Sequence, residues 1–234
     1  MSSPLESFGF TRKIVGTYLT RKPDGEALMT AIIATLVLFL TTMWVWFSPQ
    51  GLEELTVSSG KTVFENKEYW RLWTAAVTHA DVGHLMSNSL LFFVLGYFLA
   101  GYFGIVMFPT LALIMGGLIN AIALSTYGPT VNLLGASGIV YWMGGVWLVL
   151  YLLIDTRRSW GSRWLRVLGV GILMFVPSEA FEPAVSYRTH FIGFLVGNLT
   201  GLLYYAANAK RLRSAEVIEW IPPEVDDEAD ALRA

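Results

Sequence analysis

The chain contains no cysteine, only three histidines and few charges. Without cysteine there is no disulfide, no thiol nucleophile and no thiolate metal site, and redox compartment cannot be inferred. Asp, Glu, Lys and Arg make up 15% of the 234 residues, against about 25% in a soluble domain. They are missing altogether from Val82 to Ile154, a run of 73 residues. One span needs about 20 residues, so this run holds at least three. The apolar–polar alternation of barrel strands is lacking too. No signal-peptide layout opens the chain, because a polar stretch precedes a first apolar run of full span length. What is present is 54% hydrophobic residues and a mean hydropathy of +0.53. The class is an all-α polytopic membrane protein.

Six spans are expected, over 27–47, 83–103, 105–125, 137–154, 164–176 and 190–209. Pro109 falls in the first turn of the third. The fifth is short, and 167–178 alone would give roughly 18 Å of helix against a core of roughly 30 Å. It crosses only if it starts earlier and Arg163 and Arg166 snorkel, which makes it a candidate moving part. Three basic groups fall on one side of six spans: Arg12, Lys13, Arg21 and Lys22; Arg157, Arg158, Arg163 and Arg166; and Lys210, Arg211 and Arg213. The positive-inside rule makes that side cytoplasmic. The expected organisation is a cytosolic segment over 1–26, a six-helix membrane domain over 27–209, and an acidic, disordered cytosolic tail over 210–234. The outer loop, 48–80, is long and carries aromatic anchors around Trp70 and Arg71.

Spans two, four and six run the same way, so their first residues share one leaflet. Those residues are His84 and Asn88, then Ser137, then His190. Ionisable groups in a span are functional candidates by default. Ser137, Tyr141 and Gly144 share a helix face, as do His190, Gly193, Gly197 and Gly201. Small residues let membrane helices approach closely, which brings His190 towards Ser137 with Tyr141 one turn below. Ser137 is a weak nucleophile until a base takes its proton, and His190 is the base on the right helix end. His84, Asn88 and the backbone N–H of Ser137 are suited to an oxyanion hole. Gly135 and Gly138 allow a tight turn and a close substrate approach. No carboxylate lies in spans four or six, so the expected machinery is a Ser–His dyad. His79 is expected to hydrogen-bond within the outer loop, and Asn120 and Asn198 to bond between helices. A serine between glycines in a membrane helix is by itself usually packing; the joint pattern is what points to hydrolysis.

At these motifs the chain resembles the rhomboid family of intramembrane serine proteases. The resemblance covers roughly residues 27–209. It rests on Trp70-Arg71, on His79, His84 and Asn88 entering span two, on Gly135, Ser137, Gly138 and Tyr141, and on His190, Gly193 and Gly197. It implies a six-transmembrane-helix, rhomboid-like bundle around a water-filled cavity. It implies Ser137 as nucleophile, His190 as base, and His84, Asn88 and the Ser137 N–H around the oxyanion, with Gly135 shaping that pocket. Substrates would be transmembrane segments cut near their outer end, and their entry would involve the fifth helix and the loop 177–189. The family often has a span-two glutamate that holds the outer loop; here that position is Ala100, so the loop around Arg71 lacks that anchor.

No cofactor and no metal are expected: His-Glu-x-x-His is missing, and Asn88 makes a poor zinc ligand. Expected partners are transmembrane protein substrates and the lipid bilayer, with no nucleic acid, and the expected location is the cell membrane. The rival reading is a catalytically silent rhomboid-like protein that binds transmembrane clients. Inactive relatives would be expected to lose the serine or the histidine, and this chain keeps both.

Overall fold

The computed structural model describes residues 8–48, 51–175 and 186–223. Six long helices carry it: α1 (Ala27–Phe47), α2 (Val82–Phe103), α3 (Ala112–Thr126), α4 (Ser137–Ile154), α5 (Trp160–Phe175) and α6 (Tyr187–Arg213). Among the described residues four short strands accompany them: β1 (Thr11–Gly16), β2 (Ser58–Ser59), β3 (Asn132–Leu133) and β4 (Val217–Ile221). The protein is a mostly helical, polytopic membrane protein.

Among the described residues, five helices are long and apolar enough to cross a membrane: α1, α2, α3 with its preceding turn (Val106–Thr126), α4 and α6. Burial ranks them. In α4, 67% of the most apolar stretch is buried, against 22% in α1 and 17% in α6. A helix apolar all round belongs inside, so α4 is the central post, packed against α2, α3, α5 and α6, while α1 leans on α2. Trp142, Met143, Val146 and Leu150 of α4 meet Leu95 and Leu99 of α2 and Ile119 of α3 in one core.

The fifth helix starts earlier than its apolar run, at Trp160, and has 16 residues, or about 24 Å. The reason is local. Arg163 donates to the Leu152 carbonyl at 2.6 Å, satisfying an acceptor in the last turn of α4. Its guanidinium also lies over Trp160, 4.8 Å from the ring centroid. Two arginines that interrupt the apolar run therefore sit inside the helix. Residues 176–185, most of the loop expected to take part in substrate entry, lie outside the described residues.

Pro109 belongs to a distorted turn before α3, in which Phe108 is extended (φ −144°, ψ 127°). The Phe108 ring is buried against Phe92. A side chain on Gly96 would meet its Cζ at 2.6 Å, which explains that glycine.

The stretch of the 48–80 loop around Arg71 is anchored without a span-two carboxylate. Ala100 is buried in the apolar core. The buried Arg71 is held by the Glu68 carboxylate three residues away and by the carbonyls of Glu54 and Val57, the last at 3.0 Å. Asn120 donates to the Leu72 carbonyl at 2.8 Å, and a side chain on Gly117 would strike Trp73 Nε1 at 2.6 Å. Strands β2 and β3 pair Ser58 with Leu133 and Ser59 with Asn132, fastening this loop to the approach to α4. Asn198 departs from the expected interhelical bond. It donates to the Phe194 carbonyl of its own helix at 2.8 Å, so the helix itself satisfies it.

At the end remote from Ser137, β1 and β4 form an antiparallel ribbon from Thr11↔Ile221 to Gly16↔Val217. Of the tail expected to be disordered over 210–234, the described part is ordered, and residues 224–234 lie outside the described residues. Residues through Arg213 continue α6, and Val217–Ile221 is a strand. Val217, Ile218, Trp220 and Ile221 supply β-favouring side chains, and Glu216 accepts from Thr156 at 2.7 Å beside the α4–α5 turn.

Candidate active site

The site is built on the first turns of α2, α4 and α6. Asp81 caps α2, its carboxylate accepting from the His84 backbone N–H at 2.8 Å. This fixes the turn that carries His84, and Asn88 follows one turn along on the same face. Asn88 is buried, and its Nδ2 donates to nothing among the described residues. A buried, unspent amide N–H is costly and is a donor in waiting.

The turn into α4 depends on Gly135, at φ +116°, where a side chain would be strained. A Cβ there would also meet His84 Nε2 at 2.7 Å, so the imidazole lies directly against this turn. Gly135 N–H donates to the Ala75 carbonyl at 2.8 Å, and Ala136 N–H to His79 Nε2 at 3.2 Å. No side chain caps α4, which leaves its first N–H groups, with Ser137 at their head, in a region of positive potential.

α6 brings in His190. Its ring stacks on Tyr141, with centroids 4.1 Å apart and planes 13° apart. The contact is set by glycines. A Cβ on Gly193 would lie 2.5 Å from the Gly138 carbonyl oxygen, one on Gly197 would lie 2.9 Å from Trp142 Cα, and one on Gly145 would lie 2.6 Å from the Phe194 carbonyl oxygen. No larger residue permits this approach. Tyr127 and Ser186 hydroxyls pair at 2.8 Å, Ser186 pairs with Thr189 at 2.5 Å, and Arg188 stacks over Tyr127 at 4.6 Å. These contacts pin the start of α6 to the end of α3. Ser137 and His190 are not hydrogen-bonded to each other, and His190 Nδ1 has no partner among the described residues. Catalytic hydrogen bonds in unliganded sites are often long and tighten with substrate.

His79 is not confined to its loop. Besides receiving Ala136 N–H, its Nδ1 pairs with Thr42 Oγ1 of α1 at 3.1 Å, and its carbonyl accepts from Trp46 at 2.8 Å. The ring stands edge-on to His84 at 5.0 Å. Trp70, by contrast, is half exposed, while Arg71 acts on the loop. Asp81, Thr42 and Ser186 were not anticipated from sequence. Asp81 had a readable signal, an aspartate just before an apolar helical run; the other two had none. No cluster of three or more metal-ligating side chains occurs among the described residues.

A family model, the Rhomboid domain, matches residues 66–207, and the chain belongs to the rhomboid family. An uncharacterised protein of Mycobacterium leprae (strain TN) is 28% identical over 187 residues, covering 74% of this chain and 73% of the relative. Rhomboid protease GluP of Bacillus subtilis (strain 168) is 30% identical over 159 residues, which is 64% of this chain but 30% of that protein.

Proposed function

We propose that the protein is an intramembrane serine endopeptidase working through a Ser137–His190 dyad. The observation that carries this reading is the stack of His190 on Tyr141, one turn beyond Ser137, at a helix contact that glycines make close. His190 takes the Ser137 hydroxyl proton as Oγ attacks the scissile carbonyl carbon. The resulting oxyanion is met by Asn88 Nδ2, by His84 and by the Ser137 N–H. His190 then passes the proton to the leaving amine, and water hydrolyses the acyl-enzyme by the same route. Substrates are transmembrane segments of other membrane proteins, cut near their outer end. The basic segments support a reading in which both termini are cytoplasmic and the membrane is the cell membrane.

The test is labelling of the detergent-solubilised protein by a fluorophosphonate, with cleavage of a reporter transmembrane substrate alongside. Wild type should label and cleave; Ser137→Ala and His190→Ala should do neither while keeping their helical signal. Asn88→Ala should keep the label and lose about a hundred- to a thousandfold in kcat. Cleavage by Ser137→Ala would end the dyad reading, and a folded wild type that neither labels nor cleaves would favour the silent client-binding alternative.

A further inference from the structure

A cavity of about 550 Å³ opens between α4, α5 and α6, within the usual range for ligand sites. His190 and Tyr141 border one end, and Leu152 and Trp164 the other, with Leu148, Leu168 and Phe194 among the walls between. Along α4, Tyr141 to Leu152 is about 16 Å, or half of a roughly 30 Å hydrocarbon core. The cavity is therefore about one leaflet deep, apolar along its length, and begins where α4 and α5 end in charged residues.

The charge at that end has one sign left over. Asp155, fully buried, takes Arg157 at 2.6 Å and Arg158 at 3.9 Å. Arg163 has no acidic partner among the described residues. Its bond to the Leu152 carbonyl holds it beside the Leu152–Trp164 end of the cavity, without lining it. A guanidinium without an acidic partner at the membrane interface favours an anionic oxygen. Arg166 adds a second cation one turn along α5.

We infer that this cavity is a binding site for one anionic phospholipid: its phosphate meets Arg163, and one acyl chain lies between α4, α5 and α6 with its tip beneath Tyr141 and His190. The depth of one leaflet selects a chain anchored at the interface over a segment crossing the whole membrane. The charges of Arg163 and Arg166, without an acidic partner among the described residues, select a lipid of net negative charge over a zwitterionic one. Binding joins α5 to its neighbours where protein contacts are sparse, and it requires no catalysis.

The test uses the full chain, delipidated in detergent, with lipid retention read by native mass spectrometry and thermal midpoint read in parallel. Phosphatidylglycerol should be retained one per chain and should raise the midpoint. Phosphatidylcholine should bind at least tenfold more weakly, and inorganic phosphate should not raise the midpoint. Arg163→Gln should weaken phosphatidylglycerol about tenfold. Because Arg163 also supports the end of α4, a second variant is needed. Gly171→Leu fits without backbone contact, a Cβ there having only Leu148 Cδ1 at 3.6 Å, and it should exclude the chain while the protein stays folded. Equal binding of the two lipids, or unaltered binding in Gly171→Leu, would overturn the site. So would crosslinking from Leu168 to a substrate's transmembrane segment undiminished by saturating phosphatidylglycerol.

Discussion

His79 has a single consistent protonation pattern. Nε2 accepts from Ala136 N–H, so Nδ1 carries the proton and donates to Thr42 Oγ1, whose hydrogen goes to the Val77 carbonyl. Burial, and then the nearby His84, lower its pKa from 6.5 to about 3, against an upward pull from Asp81. Between those values the unfolded chain binds more protons than the folded one. The stability at stake is complete above 6.5 and is lost as pH falls towards about 3. Unfolding midpoints in detergent should therefore drop on going from about pH 7 to about pH 4, and the drop should shrink in His79→Gln. At neutral pH His79→Ala should cost about 1–3 kcal/mol, because Ala136 N–H is left without its acceptor. If the variant's pH profile overlays that of wild type, this imidazole is not the titrating group.

The α4–α6 contact decides where the His190 imidazole stands. Gly197→Val would drive a Cβ towards Trp142 Cα, backbone against side chain, with no flexible atom to give way. Overpacking of this kind typically costs about 1–3 kcal/mol. Since Gly197 lies two turns below His190, the displacement reaches the imidazole, and fluorophosphonate labelling of Ser137 should be lost while helical circular dichroism persists. Gly169→Ala, with nothing within 4 Å of a Cβ, should label like wild type. Apolar length and glycine spacing made much of this legible in the sequence: the bounds of α1, the starts of α2 and α4, and the face shared by Gly193 and Gly197. The start of α5 was not legible, because Arg163 finds its partner in a backbone carbonyl of another helix, which no side-chain pattern encodes. The wider role of His79 was hidden for the same reason, since its partners stand 37 and 57 positions away.

At the scale of the whole molecule, the ribbon joins the two ends of the chain. Composition pointed to a solvated tail, since seven acidic residues follow Arg213, but a few apolar residues among them suffice for a strand once β1 offers an edge. Two strands alone are marginal in water, and here Arg12–Glu216 at 3.7 Å and Thr156–Glu216 add support. Deleting residues 217–234 should leave Ser137 labelling intact, because the ribbon lies at the opposite end from the site. It should speed tryptic cleavage after Arg12 and Lys13 several-fold, as the unpaired strand opens locally; unchanged cleavage would mean that β4 does not protect β1.

That pairing also orders the protein's birth. Thr11 and Ile221 are partners 210 positions apart, and synthesis delivers the first long before the second. The first strand stays without its partner until the helices between the two have been made. A stalled or truncated chain thus displays a bare strand edge that the finished protein has paired.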